Sequence, residues 1–301
     1  MSFDAQLARL GDLGQPLAHS ELKQLASLDP ASLKAFWQSW VQFPAERRLE
    51  LILALNALGE DNVDLDFHPV LRACLSDADP QVRTAAIAGL WEDESERTLE
   101  RLVALVDDET GEVRAAAMVG LAPFAYRAEL GTLTAANAQR LFTTLLSVAA
   151  DPEQPFEVRR RAIEALGYFA NAPEAQALIG RAYAHTESPM RESAVLAMGR
   201  SMRPTWFPYI ERELKSSVAA LRYEAARAVG ELGEDGRPLL PGLVRLLEDD
   251  DTEVALAAIW SLGQVGGAGA RRILERLARS KDATRRQSAT DALAEVLTDE
   301  L

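Results

Sequence analysis

The sequence predicts an all-α protein, a right-handed α-solenoid (an α-α superhelix) of about eight helical pairs. Three observations predict it. The pattern Val-Arg-x-x-Ala-x-x-x-Leu of "DPQVRTAAIAGL" returns along the chain, and an amphipathic segment precedes its copies. The composition is dominated by alanine and leucine with only 6% aromatic residues, which favours helices that pack closely.

The copies read "EVRAAAMVGL", "EVRRRAIEALG", "MRESAVLAMG", "LRYEAARAVG" and "EVALAAIWSLG". Their second residue falls at Arg83, Arg114, Arg159, Arg191, Arg222, Ala255 and Arg286, with spacings of 31, 45, 32, 31, 33 and 31 residues. A near-constant period of this size marks a solenoid. Val82, Ala86 and Leu90 lie four apart and form one buried stripe of a helix, and the same three positions recur in each copy. The alanines admit close approach of the next helix.

The partner segments include "TLERLVALV", "EAQALIGRAYA", "GLVRLLE" and "RRILERLARS", with turns such as "SDADP" and "EDDDT" between them. Asp79 before Pro80 reads as an N-cap followed by proline in the first helical turn, and Asp251 and Asp282 hold the same place. The glycines of "ALG", "MGR" and "VGELG" fit C-caps. A degenerate earlier unit is "FPAERRLELILALNALGE", with "SLKAFWQSWVQ" as its first helix. Residues 1–31 are expected as an N-terminal helical cap and 32–301 as one continuous repeat domain. The 45-residue spacing places an insertion within "APFAYRAELGTLTAAN", expected either as a loop on one face or as a lengthened linker with a longer helix over 134–150.

These features resemble the HEAT repeat family, in particular the short bacterial HEAT-like repeats also found in phycobilin lyases. The residues that carry the resemblance are the Val-Arg-x-x-Ala-x-x-x-Leu helix and an acid six residues before the arginine, present as Asp77, Asp108, Glu153 and Asp249. It implies a ladder of acid–arginine pairs between repeats, and a concave face lined by the arginine-bearing helices. Ala255 interrupts the arginines of that ladder, while His185, Ser216 and Ser280 interrupt its acids. Arg114, Arg159 and Arg191 are expected to be structural, each bonded to an acid or carbonyl of an adjacent repeat. Fold of this kind does not specify activity.

The formal charge of −14 argues against a nucleic-acid partner, whose binding rests on neutralised phosphates. No apolar run is long enough for a membrane span. The segment "MSFDAQLARLGDLGQP" carries an acid where a leader would be basic, and the single Cys74 excludes an internal disulfide, so a reducing cytoplasmic setting is expected. No metal or other cofactor is expected. His19, His68 and His185 are far apart, and no paired His-Glu motif of the kind used by HEAT-like deoxyhypusine hydroxylase occurs. "EDDDTE" lacks the alternating ligands and glycine of a calcium loop. Cys74 sits on an apolar helix face, and no nucleophile elbow is present, so no catalytic residue is assigned.

The remaining candidate is a binding surface. Trp260 stands off its buried stripe, at a position held elsewhere by Ala88, Val119, Glu164, Leu196, Arg227 and Asp291, and variation of that kind indicates exposure. Positions two, six and ten after the first motif residue should project into the groove. They give Arg160, Glu164, Tyr168, Glu192, Arg200, Tyr223, Arg227, Glu231, Trp260 and Gln264 as a partner-binding row. Arginine, tyrosine and tryptophan are enriched in interfaces. The same spacing lets such residues pair with each other, as Arg160 with Glu164 at i,i+4. The expected function is a non-enzymatic scaffold that binds a protein or peptide in this groove. The rival is an enzyme or enzyme subunit on the same scaffold, a chromophore lyase or a DNA glycosylase.

Overall fold

The computed structural model describes residues 2–299, so residues 1, 300 and 301 of the expected domains lie outside the described residues. Among the described residues every regular element is helical. The chain divides into two compact units, Met1–Arg127 and Ala128–Leu301.

The first unit opens with α1 (Phe3–Leu10) and α2 (His19–Leu22). Three pairs follow: α3 (Pro30–Trp40) with α4 (Ala45–Asp61), α5 (His68–Cys74) with α6 (Pro80–Ala88), and α7 (Glu96–Ala104) with α8 (Gly111–Glu129). The second unit holds five pairs. These are α9 (Ala135–Ala150) with α10 (Phe156–Leu166), α11 (Pro173–Tyr183) with α12 (Ser188–Arg200), α13 (Phe207–Glu213) with α14 (Ala219–Glu231), α15 (Leu240–Leu246) with α16 (Thr252–Val265), and α17 (Gly267–Leu277) with α18 (Ala283–Asp299). The insertion becomes helix: α8 continues past Pro123 to Glu129, and a short turn through Gly131, which has a φ of +69°, leads to α9.

The caps form where the turn chemistry dictates. Asp79 Oδ1 accepts the Gln81 N–H at 2.8 Å, with Pro80 filling a place where no N–H is needed. Asp251 and Asp282 cap α16 and α18 in the same way. The predicted stripe is buried in most copies: Val82, Ala86 and Leu90 in α6 and its C-cap turn, Val158, Ala162 and Leu166 in α10, Leu221, Ala225 and Val229 in α14; in α18 Ala289 is buried and Leu293 half-buried. At the amino-terminal end Arg47, only 1% exposed, donates to the carbonyls of Asp12 and Gln15 and so fastens the segment that follows α1.

Gly199 and Gly230, expected as C-caps, lie inside helices instead, and they serve a different end. In the second unit α10, α12, α14, α16 and α18 pack one against the next. A Cβ on Gly199 would stand 2.6 Å from the Cα of Ala228, and one on Gly230 would stand 2.4 Å from the Trp260 ring. Gly263 of α16 meets Ala292 of α18 likewise, while Gly167, which does cap α10, would meet the Cα of Ala197 at 2.8 Å. The glycines recur because successive second helices approach there too closely for a Cβ, against backbone at Gly167, Gly199 and Gly263 and against the Trp260 and Ser261 side chains at Gly230.

The ladder forms between an arginine and the acid of the next pair's turn. Arg48 meets Asp77 at 3.0 Å, Arg83 meets Asp108 at 2.7 Å, and Arg222 grips both oxygens of Asp249 at 2.7 and 2.8 Å. Each also closes a backbone bond. Arg83 donates to the Asp77 carbonyl, Arg114 to that of Asp108, Arg222 to that of Ser216. The Trp40 indole adds a 2.6 Å bond to Asp77. Of the three arginines expected to be structural, Arg114 bonds the carbonyls of its own turn, and Arg191 reaches Glu213 of α13 at 3.3 Å. Arg159 has neither kind of partner among the described residues, and the turn it faces carries His185 where those facing Arg83 and Arg222 carry Asp108 and Asp249.

Two substitutions check this packing by denaturant unfolding. Gly199→Ala is expected to cost about 1–3 kcal/mol, since overpacking against the Ala228 backbone outweighs the better helix propensity of alanine. Arg83→Ala is expected to cost about 3 kcal/mol by leaving the Asp108 carboxylate buried without its counter-charge.

Candidate interaction surface

The candidate row sits on α10 and the turn after it, which holds Tyr168, and on α12, α14 and α16, all within the second unit. Every member except Glu164 is half-buried. The sequence places the row in the open, yet Glu164 is only 8% exposed and Leu196 of the same register 6%. The reason is the glycine contact, because helices that approach this closely cover the side chains beside the crossing.

Glu164 is the centre of a network. Its carboxylate accepts from Arg160 at 3.2 Å, from Arg161 at 3.0 and 3.1 Å, and from the Ser193 hydroxyl of α12 at 2.6 Å. Arg160 also bonds Ser193 and pairs with Glu157 at 2.7 Å. Burial alone would raise the Glu164 carboxyl, but the Ser193 and Arg161 interactions outweigh it and hold the group below its ordinary range. Arg200 of α12 donates to the Glu164 backbone carbonyl at 3.1 Å and lies over the Tyr168 ring at 5.0 Å.

Glu224 of α14 has the opposite fate. Burial pushes its carboxyl up to about 7, the charges of Glu164 and Glu192 add to this, and those of Arg227 and Arg200 only partly offset it. One of its oxygens is buried with no hydrogen-bond partner among the described residues. Arg227 faces Glu231 at 3.9 Å. The Trp260 ring of α16 covers Gly230, and the neighbouring Ser261 hydroxyl donates to the Ala226 carbonyl at 2.7 Å. Tyr223 is half-buried one turn before Arg227 and makes no side-chain hydrogen bond among the described residues; Gln264 is half-buried one turn after Trp260.

Thus Arg160, Glu164, Tyr168 and Arg200 are joined by direct contacts, Glu192 and Arg227 act on Glu224 through charge, and no contact links Tyr223 to them among the described residues. Three participants escape the sequence register: Arg161, Ser193 and Glu224. All stand three residues after the first motif residue, where α6 and α8 carry Ala85 and Ala116. The replacement of alanine by polar residues there was the available signal. The surface offers alternating charge, an aromatic face at each end and a carboxyl that can act as a hydrogen-bond donor near neutral pH.

Other chemistry finds no such assembly. Among the described residues no three His, Cys, Asp or Glu side chains gather as a metal site, and no helix is long and apolar enough to cross a membrane. Cys74 is buried, and burial, followed by the charge of Asp77, pushes its thiol well up, which makes a poor nucleophile.

Glu224 sets a pH dependence. Folded, it keeps its proton up to about pH 7; unfolded, it loses it near the ordinary 4.5. Folding therefore takes up a proton in that window, and this group's contribution to stability declines as pH rises from about 4.5 to about 7. Glu224→Gln is expected to melt higher than the native chain at pH 8, with the difference closing by pH 5. Thermal unfolding of both proteins across that range checks it.

Comparison with known proteins agrees with this geometry. The model of the HEAT repeats matches residues 44–138 and 208–294, more than half of the chain. Among solved structures, the complex of CpcE and CpcF of phycocyanin lyase from Nostoc sp. PCC7120 is similar at a TM-score of 0.56 and 22% identity, over 78% of this chain and 88% of that one. The Kap95:Nup1 complex is similar at 0.51 and 15%, over 98% of this chain and 46% of that one. At these identities both show likeness of fold alone. No curated protein matches the sequence. The family match covers the rungs Arg83–Asp108 and Arg222–Asp249, and the chain belongs to the HEAT repeat family.

Proposed function

We propose that the chain is a non-enzymatic interaction scaffold that binds a protein or peptide partner along the second helices of the unit 128–301. The observation that carries this reading is the row itself. Stacked helices present Arg160, Arg200 and Arg227 beside Glu192 and Glu231, over the covered Glu164, with Tyr168 and Trp260 among them. Such a mixture suits a polypeptide of mixed charge better than a polyphosphate, and the chain's charge of −14 points the same way. Kap95, a fold neighbour, is a component of a complex with another protein. A reducing intracellular setting, and one continuous repeat domain over 32–301 with 1–31 as its cap, belong to the same proposal.

The enzymatic rival keeps one supporting observation, the fold likeness to the lyase subunits CpcE and CpcF. A subunit of that kind would act with a second protein, so partner binding tests both.

The partner recovered by affinity capture is to be purified and titrated against the native chain and two variants. Trp260→Ala and Arg227→Ala are each expected to weaken binding by about 2 kcal/mol, within the range of interface hot spots, with helix content unchanged by circular dichroism. Unchanged affinity in both folded variants would remove the site from this face. Steeply salt-dependent binding to DNA that is lost in Arg227→Ala would replace the reading with a nucleic-acid function.

A further inference from the structure

The rungs of the arginine ladder depart from the rule in four ways, and the departures differ in kind. Arg114 has no ion pair among the described residues, but its guanidinium takes two carbonyls of its own turn. Arg191 faces a turn with Ser216 instead of an acid, and Glu213 takes over the role at 3.3 Å. Where Ala255 replaces the arginine, the turn in register carries Ser280, so both charges are gone together. At Arg159 the arginine stays and the acid does not. The facing turn carries His185, and no other acid substitutes among the described residues. The Arg159 Nε is buried with no hydrogen-bond partner among the described residues, as it is in Arg48, Arg83 and Arg114, but those three guanidinium groups bond through another nitrogen. Nor does the Arg159 guanidinium take the carbonyl six residues earlier, as those of Arg83, Arg114, Arg222 and Arg286 do.

Arg159 lines a cavity of about 320 Å³. Arg181, on the last turn of α11, lines it too and has no ion pair among the described residues. His185 completes the polar rim. Its Nδ1 accepts the Glu187 backbone N–H at 3.1 Å, which leaves Nε2 to donate. The floor is apolar: Ala149, Ile163, Leu178, Ala182 and Met190, all buried. Acids outnumber bases in this chain by 46 to 32, so two arginines without a carboxylate in one cavity do not reflect a shortage of acids.

We propose that this cavity binds a carboxylate carried on an apolar stem. Arg159 and Arg181 hold the carboxylate in the place that an aspartate takes on the intact rungs, and the floor receives the stem. The volume lies at the small end of ligand pockets and suits a group the size of one residue. A free aliphatic acid and the carboxy-terminus of a peptide ending in an apolar residue share this chemistry. The site is separate from the row on α10 to α16 and does not rest on the scaffold reading.

The test is an NMR titration of the full chain, observing the Met190 methyl and the Arg159 Nε–H. The probes are hexanoate, hexanol, and the tripeptide acetyl-Gly-Gly-Leu as free acid and as amide. Saturable shifts are expected with hexanoate and the peptide acid, and none with hexanol or the amide. The tighter of the two acids identifies the source. Arg159→Ala is expected to weaken binding by about tenfold or more, the loss of a hydrogen bond to a charged group. His185→Asp supplies the missing acid from within, so it is expected to raise the melting temperature and abolish binding. Neither change touches the buried stripe, and circular dichroism confirms that both variants fold. The absence of saturable shifts with either acid, or binding that survives both substitutions, would overturn the proposal.

Discussion

The contact on which the second unit depends is the approach of each arginine-bearing helix to the next, close enough that a side chain is excluded at the crossing. At Gly199 the space left beside the Ala228 backbone is smaller than a methyl group. Alanines of the buried stripe, Ala162, Ala194, Ala225 and Ala258, keep the rest of the interface shallow. Such an interface is stabilised by many small dispersion contacts rather than by large side chains. It also shapes the outer surface. Glu164 and Leu196 are covered because their helices stand so near, and the Trp260 indole lies over Gly230 because that glycine leaves room for it.

Against this apolar seam the ladder supplies register. A buried arginine or aspartate is costly unless paired and bonded. Arg222 therefore takes both oxygens of Asp249 and a backbone carbonyl besides, and Asp249 also accepts the Asp251 N–H. Bonds of this fixed geometry tie one helical pair to the turn of the next. The exceptions obey the same physics. One rung substitutes Glu213, another omits both charges at Ala255 and Ser280, and the rung at Arg159 leaves its cation facing a cavity.

The acids of the candidate surface show how far local partners decide chemistry. Glu164 belongs to the row on α10, and Glu224 lies beside the row on α14. Glu164 receives a hydroxyl and two guanidinium groups, and its carboxyl is held down. Glu224 is buried without equivalent bonds and is pushed up to about 7. Burial is the first influence on both, and hydrogen bonding decides the outcome.

The helical pairs, their N-caps and the buried stripe were legible in the sequence, because periodicity and cap chemistry act over a few residues; the rungs at Arg83 and Arg222 were expected from the resemblance to the HEAT repeats. The repeated spacing also identified the family. Three matters were settled only by tertiary structure. The glycines read as caps because local sequence cannot tell a helix end from a crossing point. The row containing Glu164 read as exposed because coverage depends on how near the next helix lies. Arg161, Ser193 and Glu224 went unnoticed because their network joins residues about thirty apart, through distances that no local pattern encodes. The sequence by itself determined which faces are apolar and where each helix begins. The distance between helices decided which charges are covered, which are paired and which, like Arg159, are left to meet something else.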